Sequence, residues 1–290
     1  MTPAEPPPAT PRTALRPRVW TVFLALSIAL CSNLCLGVFT ALAALAASYF
    51  ERGALDVEAL QELLTDPTWV LAPTLLLTAL LSIGIALAAA YLSPLPLRRR
   101  LALVAPVRRF GWLSLPLALG GIAVGIAAGT LCDAIGVPGS ANESLNDAVA
   151  VADPLTLVVL ALGVAIGAPV AEELLFRGYA QQRLVERWGA VTGIVVTSVL
   201  FGLFHIDPSQ ALPAIAIGGW LGWLRHRSGS LWLPFAAHAT NNFLFVVFAR
   251  LEVPDPEGAL SWPLAGGGLL VAAALVFHVE RGVTRDAPGI

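Results

Sequence analysis

The chain is built from apolar runs separated by short polar stretches, and no other property limits its possible folds as strongly. From Val19 to Phe50 there is not one charged side chain. A helix needs about 20 apolar residues to cross the hydrocarbon core of a bilayer. In lipid, every backbone N–H and C=O must also be satisfied within the protein, which leaves helices or closed barrels. Eight candidate spans can be read: about Val19–Phe50, Trp69–Leu92, Trp112–Cys132, Leu155–Ala171, Val191–Phe204, Leu212–Leu224, Leu231–Phe248 and Leu264–Val279. The fifth and sixth are short, so they must tilt, extend into polar flanks or sit deep in the bundle. Composition agrees. The chain is 57% hydrophobic and 12% charged, against about a quarter charged in soluble domains. The expected fold class is all-α, a polytopic membrane bundle of about eight transmembrane helices.

Residues 1–18, rich in Pro, Ala and Thr, read as a disordered cytoplasmic tail. Arg12, Arg16 and Arg18 then precede the first run, as in a signal peptide. That run continues to about Tyr49, too long for a signal sequence, and reads as an uncleaved first span. The expected organisation continues with N-terminal transmembrane helices over 19–150, a catalytic membrane core over 151–250, and a last helix with a short tail over 251–290. Every basic residue but the histidines is arginine, and the arginines alternate between successive loops. On eight spans, 15 of the 17 fall on one side, which the positive-inside rule makes cytoplasmic. Both termini are then cytoplasmic, and the expected location is a bacterial inner membrane.

Other classes receive little support. No basic patch resembles a nucleic-acid footprint. Cys31 and Cys35 share one helix face and read as packing residues, and with Cys132 they support no disulfide framework. Gly218 and Gly222, four apart in the sixth span, read as close-packing positions.

Glu172 and Glu173 break this pattern. They end the apolar part of the fourth span, and a charge at the centre of a membrane helix costs roughly 2.5–3.5 kcal/mol. Glu173 and Arg177 are four apart, a natural intrahelical ion pair. Glu172 points about 100° away and is left for other work. His205 ends the fifth span, and His238 and Asn242 share one face of the seventh. If the fourth helix continues and turns back at Trp188-Gly189, Glu172 and His205 lie level, each about 24 Å from the turn.

A carboxylate, two imidazoles and a carboxamide suit hydrolysis. A glutamate near a histidine can take a proton from water, and a second histidine with an asparagine can donate to a developing oxyanion. Glu172, His205 and His238 could equally hold a divalent metal such as zinc, so the cofactor is a metal or none. Intramembrane histidines also serve as hydrogen-bonding glue in a non-catalytic scaffold or immunity protein. Glu and His chains can also form the proton relay of a coupled transporter.

Glu172-Glu173-x-x-x-Arg177, Phe201-x-x-x-His205 and His238-x-x-x-Asn242 resemble, in order and on separate spans, the three motifs of the CAAX-protease and bacteriocin-processing (CPBP/Abi) family. These are intramembrane endopeptidases related to the type II CAAX prenyl endopeptidases. The resemblance covers about Leu155 to Phe248. It implies that Glu172 activates water with His205 beside it, and that Glu173 is a supporting carboxylate held by Arg177. It implies that His238 and Asn242 stabilise the oxyanion or, in a metalloprotease, contribute to metal binding. The implied partners are the lipid bilayer and a peptide or protein substrate.

Overall fold

The computed structural model describes residues 18–52, 66, 70–93, 96–106, 110, 113–137, 141–253 and 261–285. The stretch expected as a disordered tail lies outside them, apart from Arg18. The described residues form ten helices and no strand. They are α1 (Trp20–Arg52), α2 (Ala72–Tyr91), the single turn α3 (Leu97–Arg100), α4 (Ser114–Ala134) and α5 (Ala141–Val151). After these come α6 (Pro154–Trp188), α7 (Ala190–Leu203), α8 (Pro208–Ser228), α9 (Trp232–Arg250) and α10 (Ser261–Arg285). The polytopic helical bundle read from the apolar runs is the fold observed.

Among the described residues, five helices are long and apolar enough to cross a membrane: Trp20–Phe50, Ala72–Tyr91, Leu115–Ala134, Pro154–Trp188 and Ser261–Arg281. The 14-residue α7 is apolar but short. Helices α8 and α9 have the length, at 21 and 19 residues, without the apolarity. The physical reason is their content: α8 ends in Arg225, His226 and Arg227, and α9 carries His238, Asn241 and Asn242. The helices least like lipid-facing spans are those that build the polar interior. The loop expected at 133–154 contains the amphipathic α5, which Arg250 ties down by donating to the Val149, Ala150 and Ala152 carbonyls. Arg250, on the arginine-poor side, therefore has a structural use as a cap for α5.

Helix α6 organises the core. It spans 35 residues, about 52 Å at 1.5 Å per residue, with the two glutamates near its middle. The expected turn is observed. Gly189 stands at φ 85°, ψ 168°, outside the regions open to residues with a Cβ, and α7 runs back along α6. Four residues on, a Cβ at Gly193 would sit 2.6 Å from the backbone nitrogen of Val185, so the two helices meet backbone to backbone. Beside them, Phe176 of α6 packs edge-on against Phe201 and Phe204, with centroids 5.2 and 5.3 Å apart. Its cluster takes in Leu175, Tyr179, Leu184 and, from α1 and α2, Val22 and Ala86. Asp207 starts α8 by accepting from the Ser209 backbone N–H and hydroxyl at 2.8 and 2.7 Å, an N-cap that spares an unpaired amide.

Candidate active site

Two wide turns shape α6 around the glutamates. Residues Gly163–Gly167 and Glu173–Ala180 are π-helical, a form common at functional sites. The first has a local cause. Pro169 has no N–H and cannot serve the preceding turn, while the Ala168 N–H reaches back to the Gly163 carbonyl. The Val164 carbonyl thereby loses both its i+4 and i+5 helical donors. Asn242 Nδ2 supplies the missing bond at 2.9 Å. A proline in α6 and an asparagine in α9 thus join two helices through one carbonyl.

The second wide turn holds the acid pair. Glu173 is 1% exposed and Arg177 fully buried, with Arg177 Nη1 3.1 Å from Glu173 Oε1. The expected i, i+4 ion pair is present. His238 reaches the same carboxylate. Because an ionised carboxylate only accepts, His238 Nδ1–H is the donor, at 3.0 Å to Glu173 Oε1. Its other nitrogen, Nε2, faces Glu172 Oε2 at 3.6 Å. The imidazole therefore stands between the two glutamates. Glu172, with a side chain 21% exposed, is the accessible carboxylate of the two.

His205 lies elsewhere in the cluster. Its Nδ1 is 2.9 Å from the Phe201 carbonyl oxygen. A carbonyl only accepts, so Nδ1 carries a proton, and in the neutral ring Nε2 is the acceptor. No ion pair within 4 Å joins His205 to either glutamate among the described residues; the acid–histidine contact observed is Glu172 with His238. The level count for Glu172 and His205 fixes height along two helices and says nothing of rotation about them. His205 lies past the last residue of α7 and folds back on its own helix.

Phe201 connects the parts. Its ring meets His205 and His238 edge-on, with centroids 5.0 and 5.9 Å apart, and its face lies 4.1 Å from the Arg177 guanidinium carbon. Arg177 Nη2 donates to the Gly218 carbonyl at 3.3 Å, and Gln181 Nε2 to the Gly222 carbonyl at 2.8 Å. These two rungs, four residues apart on both helices, bind α6 to α8. Phe201 as a hub, Gln181 and the use of Gly218 and Gly222 as acceptors were not read from the sequence. The matched spacing of Arg177–Gln181 and Gly218–Gly222 was the available signal. Asn241 donates to Asn242 Oδ1 at 3.3 Å.

Among the described residues, no three His, Cys, Asp or Glu side chains are gathered so as to hold a metal ion. Glu172 and His238 approach each other while His205 is turned to Phe201, so these three do not form a ready metal cage in this arrangement.

Fold and site together define the class: an integral membrane protein, a polytopic helical bundle whose central helix presents paired glutamates to a histidine of another. Residues 154–244 match the family model described as type II CAAX prenyl endopeptidase Rce1-like. The matched stretch contains the three motifs that resemble the CAAX-protease and bacteriocin-processing family. It is 32% identical over 99 residues to a Bacillus subtilis (strain 168) protein described as "Putative membrane peptidase YdiL". The match takes in 34% of this chain and 38% of that relative's length. No solved structure matches the chain.

Proposed function

We propose that the chain is an intramembrane endopeptidase that hydrolyses peptide bonds in membrane-associated or C-terminal-tail substrates. The observation that carries the reading is the division between the two glutamates. Glu173 is buried and committed to Arg177 and His238, while Glu172 is partly exposed beside the same imidazole. In the proposed reaction, Glu172 takes a proton from a water whose oxygen attacks the scissile carbonyl carbon. The bare Nε2 of His205 orients that water. His238 presents Nε2–H to the oxyanion, and the second N–H of the Asn242 amide does the same. The tetrahedral intermediate collapses with cleavage of the C–N bond, and the proton held by Glu172 passes to the leaving amine.

Proton transfer by a positioned side chain contributes about 10²–10⁴-fold. Glu172→Gln should therefore lower the cleavage of fluorogenic peptides by purified protein in lipid nanodiscs by at least about 100-fold, with thermal stability retained. Equal cleavage by wild type and Glu172→Ala would refute the proposal. Metal analysis of the same preparation tests whether zinc or another divalent ion joins Glu172, His205 and His238. The protein is placed in a bacterial inner membrane with both termini cytoplasmic, a reading supported by the arginine distribution.

A further inference from the structure

A second polar site lies on the arginine-rich side of the bundle, where α3 meets the last turns of α6. Arg100 of α3 and Arg183 of α6 are 4% and 6% exposed. Arg100 Nε donates to the Ser93 hydroxyl at 2.7 Å, and its Nη1 has no hydrogen-bond partner, lying 3.8 Å from Glu186 Oε2. The Glu186 side chain is 38% exposed. Arg183 stacks on the Tyr179 ring at 4.5 Å. Its buried Nε has no hydrogen-bond acceptor, and no carboxylate lies within ion-pair distance of it among the described residues. On α8, Arg225 also has a buried Nε that lacks a partner. Glu186 acts on it electrostatically, as does Glu173, which Arg177 and His238 already occupy.

Burial, and then the neighbouring Arg183 guanidinium, lower the Arg100 pKa, and Glu186 opposes them only in part. Like charges held together out of water are costly unless an opposite charge joins them. The loop carrying Arg100 is stitched in place: the Leu231 N–H donates to the Ala102 carbonyl at 3.0 Å, and the Ser230 hydroxyl to the Val104 carbonyl at 2.6 Å. The guanidiniums are therefore held by packed structure and cannot simply swing away to solvent.

We propose that Arg100 and Arg183 form a binding site for a phosphate group, the headgroup phosphate of an anionic phospholipid or free phosphate. Planar guanidinium forks match phosphate oxygens in pairs, and basic pockets between membrane helices at the cytoplasmic face suit lipid headgroups. The site sits one to two helical turns along α6 from Arg177. An anion bound there would brace the helix that carries both glutamates.

The test is the thermal stability of the intact protein in nanodiscs of phosphatidylcholine alone or with phosphatidylglycerol. A third arm adds inorganic phosphate to the neutral nanodiscs against chloride of equal ionic strength. Phosphatidylglycerol should raise the wild-type Tm, and Arg183→Gln and Arg100→Gln should lose that rise. A rise with the lipid alone identifies a headgroup, and a rise with inorganic phosphate as well identifies the free ion as sufficient. In native mass spectrometry each variant should bind phosphatidylglycerol roughly ten-fold more weakly or worse, the loss of one charge-assisted hydrogen bond. Absence of any anion-dependent rise in wild type overturns the proposal without reference to variants. Equal Tm losses for Arg183→Gln in both lipids would mark Arg183 as a packing residue and overturn it too.

Discussion

Glu173 and Arg177 show why pairing by spacing alone understates a buried residue. Arg177 meets Glu173 at 3.1 Å, donates to the Gly218 carbonyl and lies on the Phe201 ring, while Glu173 also accepts from His238. Removing one member of a buried charge pair typically costs about 3–5 kcal/mol. Arg177→Met should lose roughly that much in detergent unfolding experiments. The charge swap E173R/R177E, which a simple ion pair would tolerate, is expected to unfold as readily as either single variant, because neither transplanted side chain reaches Gly218, Phe201 or His238 from its new position. Rescue by the swap would show that those extra contacts contribute little. At this scale the glutamates, the arginine, both histidines and Asn242 were legible in the sequence, because charge and amide groups stand out in an apolar run. Apart from the Glu173–Arg177 pair, their partners were not, since rotation about a helix axis depends on what packs against it.

Among the elements, α6 differs most from its reading as a span ending at Ala171. It runs unbroken to Trp188, and the hairpin with α7 turns at Gly189 as the spacing predicts. The wide turns were missed, although Pro169 was a visible cause for the first. Close approach also fixes the α7–α8 pair. A Cβ at Gly202 would lie 2.5 Å from the Ala211 carbonyl oxygen and nearer still to Ile215, whereas nothing lies within 4 Å of one at Gly219. Gly202→Ala must push the two helices apart and should cost about 1–3 kcal/mol. It should also depress peptide cleavage, because His205 stands three residues on. Gly219→Ala is expected to stay within about 0.5 kcal/mol of wild type. Parallel melts and cleavage assays of the two variants would expose the prediction if both behaved alike.

For the whole molecule, the proposed orientation with both termini cytoplasmic rests on the arginine alternation over eight spans. A reporter active only in the cytoplasm should work when fused after Ile290 and fail when inserted after Gly258, between α9 and α10. The reverse pattern would invert the assigned topology. The ends of α8 and α10 are clamped by Glu280, which accepts from Trp223 Nε1 at 3.1 Å and pairs with Arg227 through two nitrogens. The Trp220 Nε1–H donates to the Leu117 carbonyl at 2.9 Å and joins α8 to α4. Such long-range pairs had no signal in the chain, because their members lie more than 50 residues apart.

The amino-acid sequence by itself determined that this protein is a helical membrane bundle, since apolar runs of bilayer length admit few other folds. It also determined which polar residues must share the interior, because each is too costly in lipid to stand alone. Only the tertiary structure decided that His238 rather than His205 stands against Glu172, that Asn242 completes a carbonyl left open by Pro169, and that Phe201 lies among them. Those outcomes depend on helix rotation and on local departures from α-helical geometry, and both are set by packing between elements far apart in the chain.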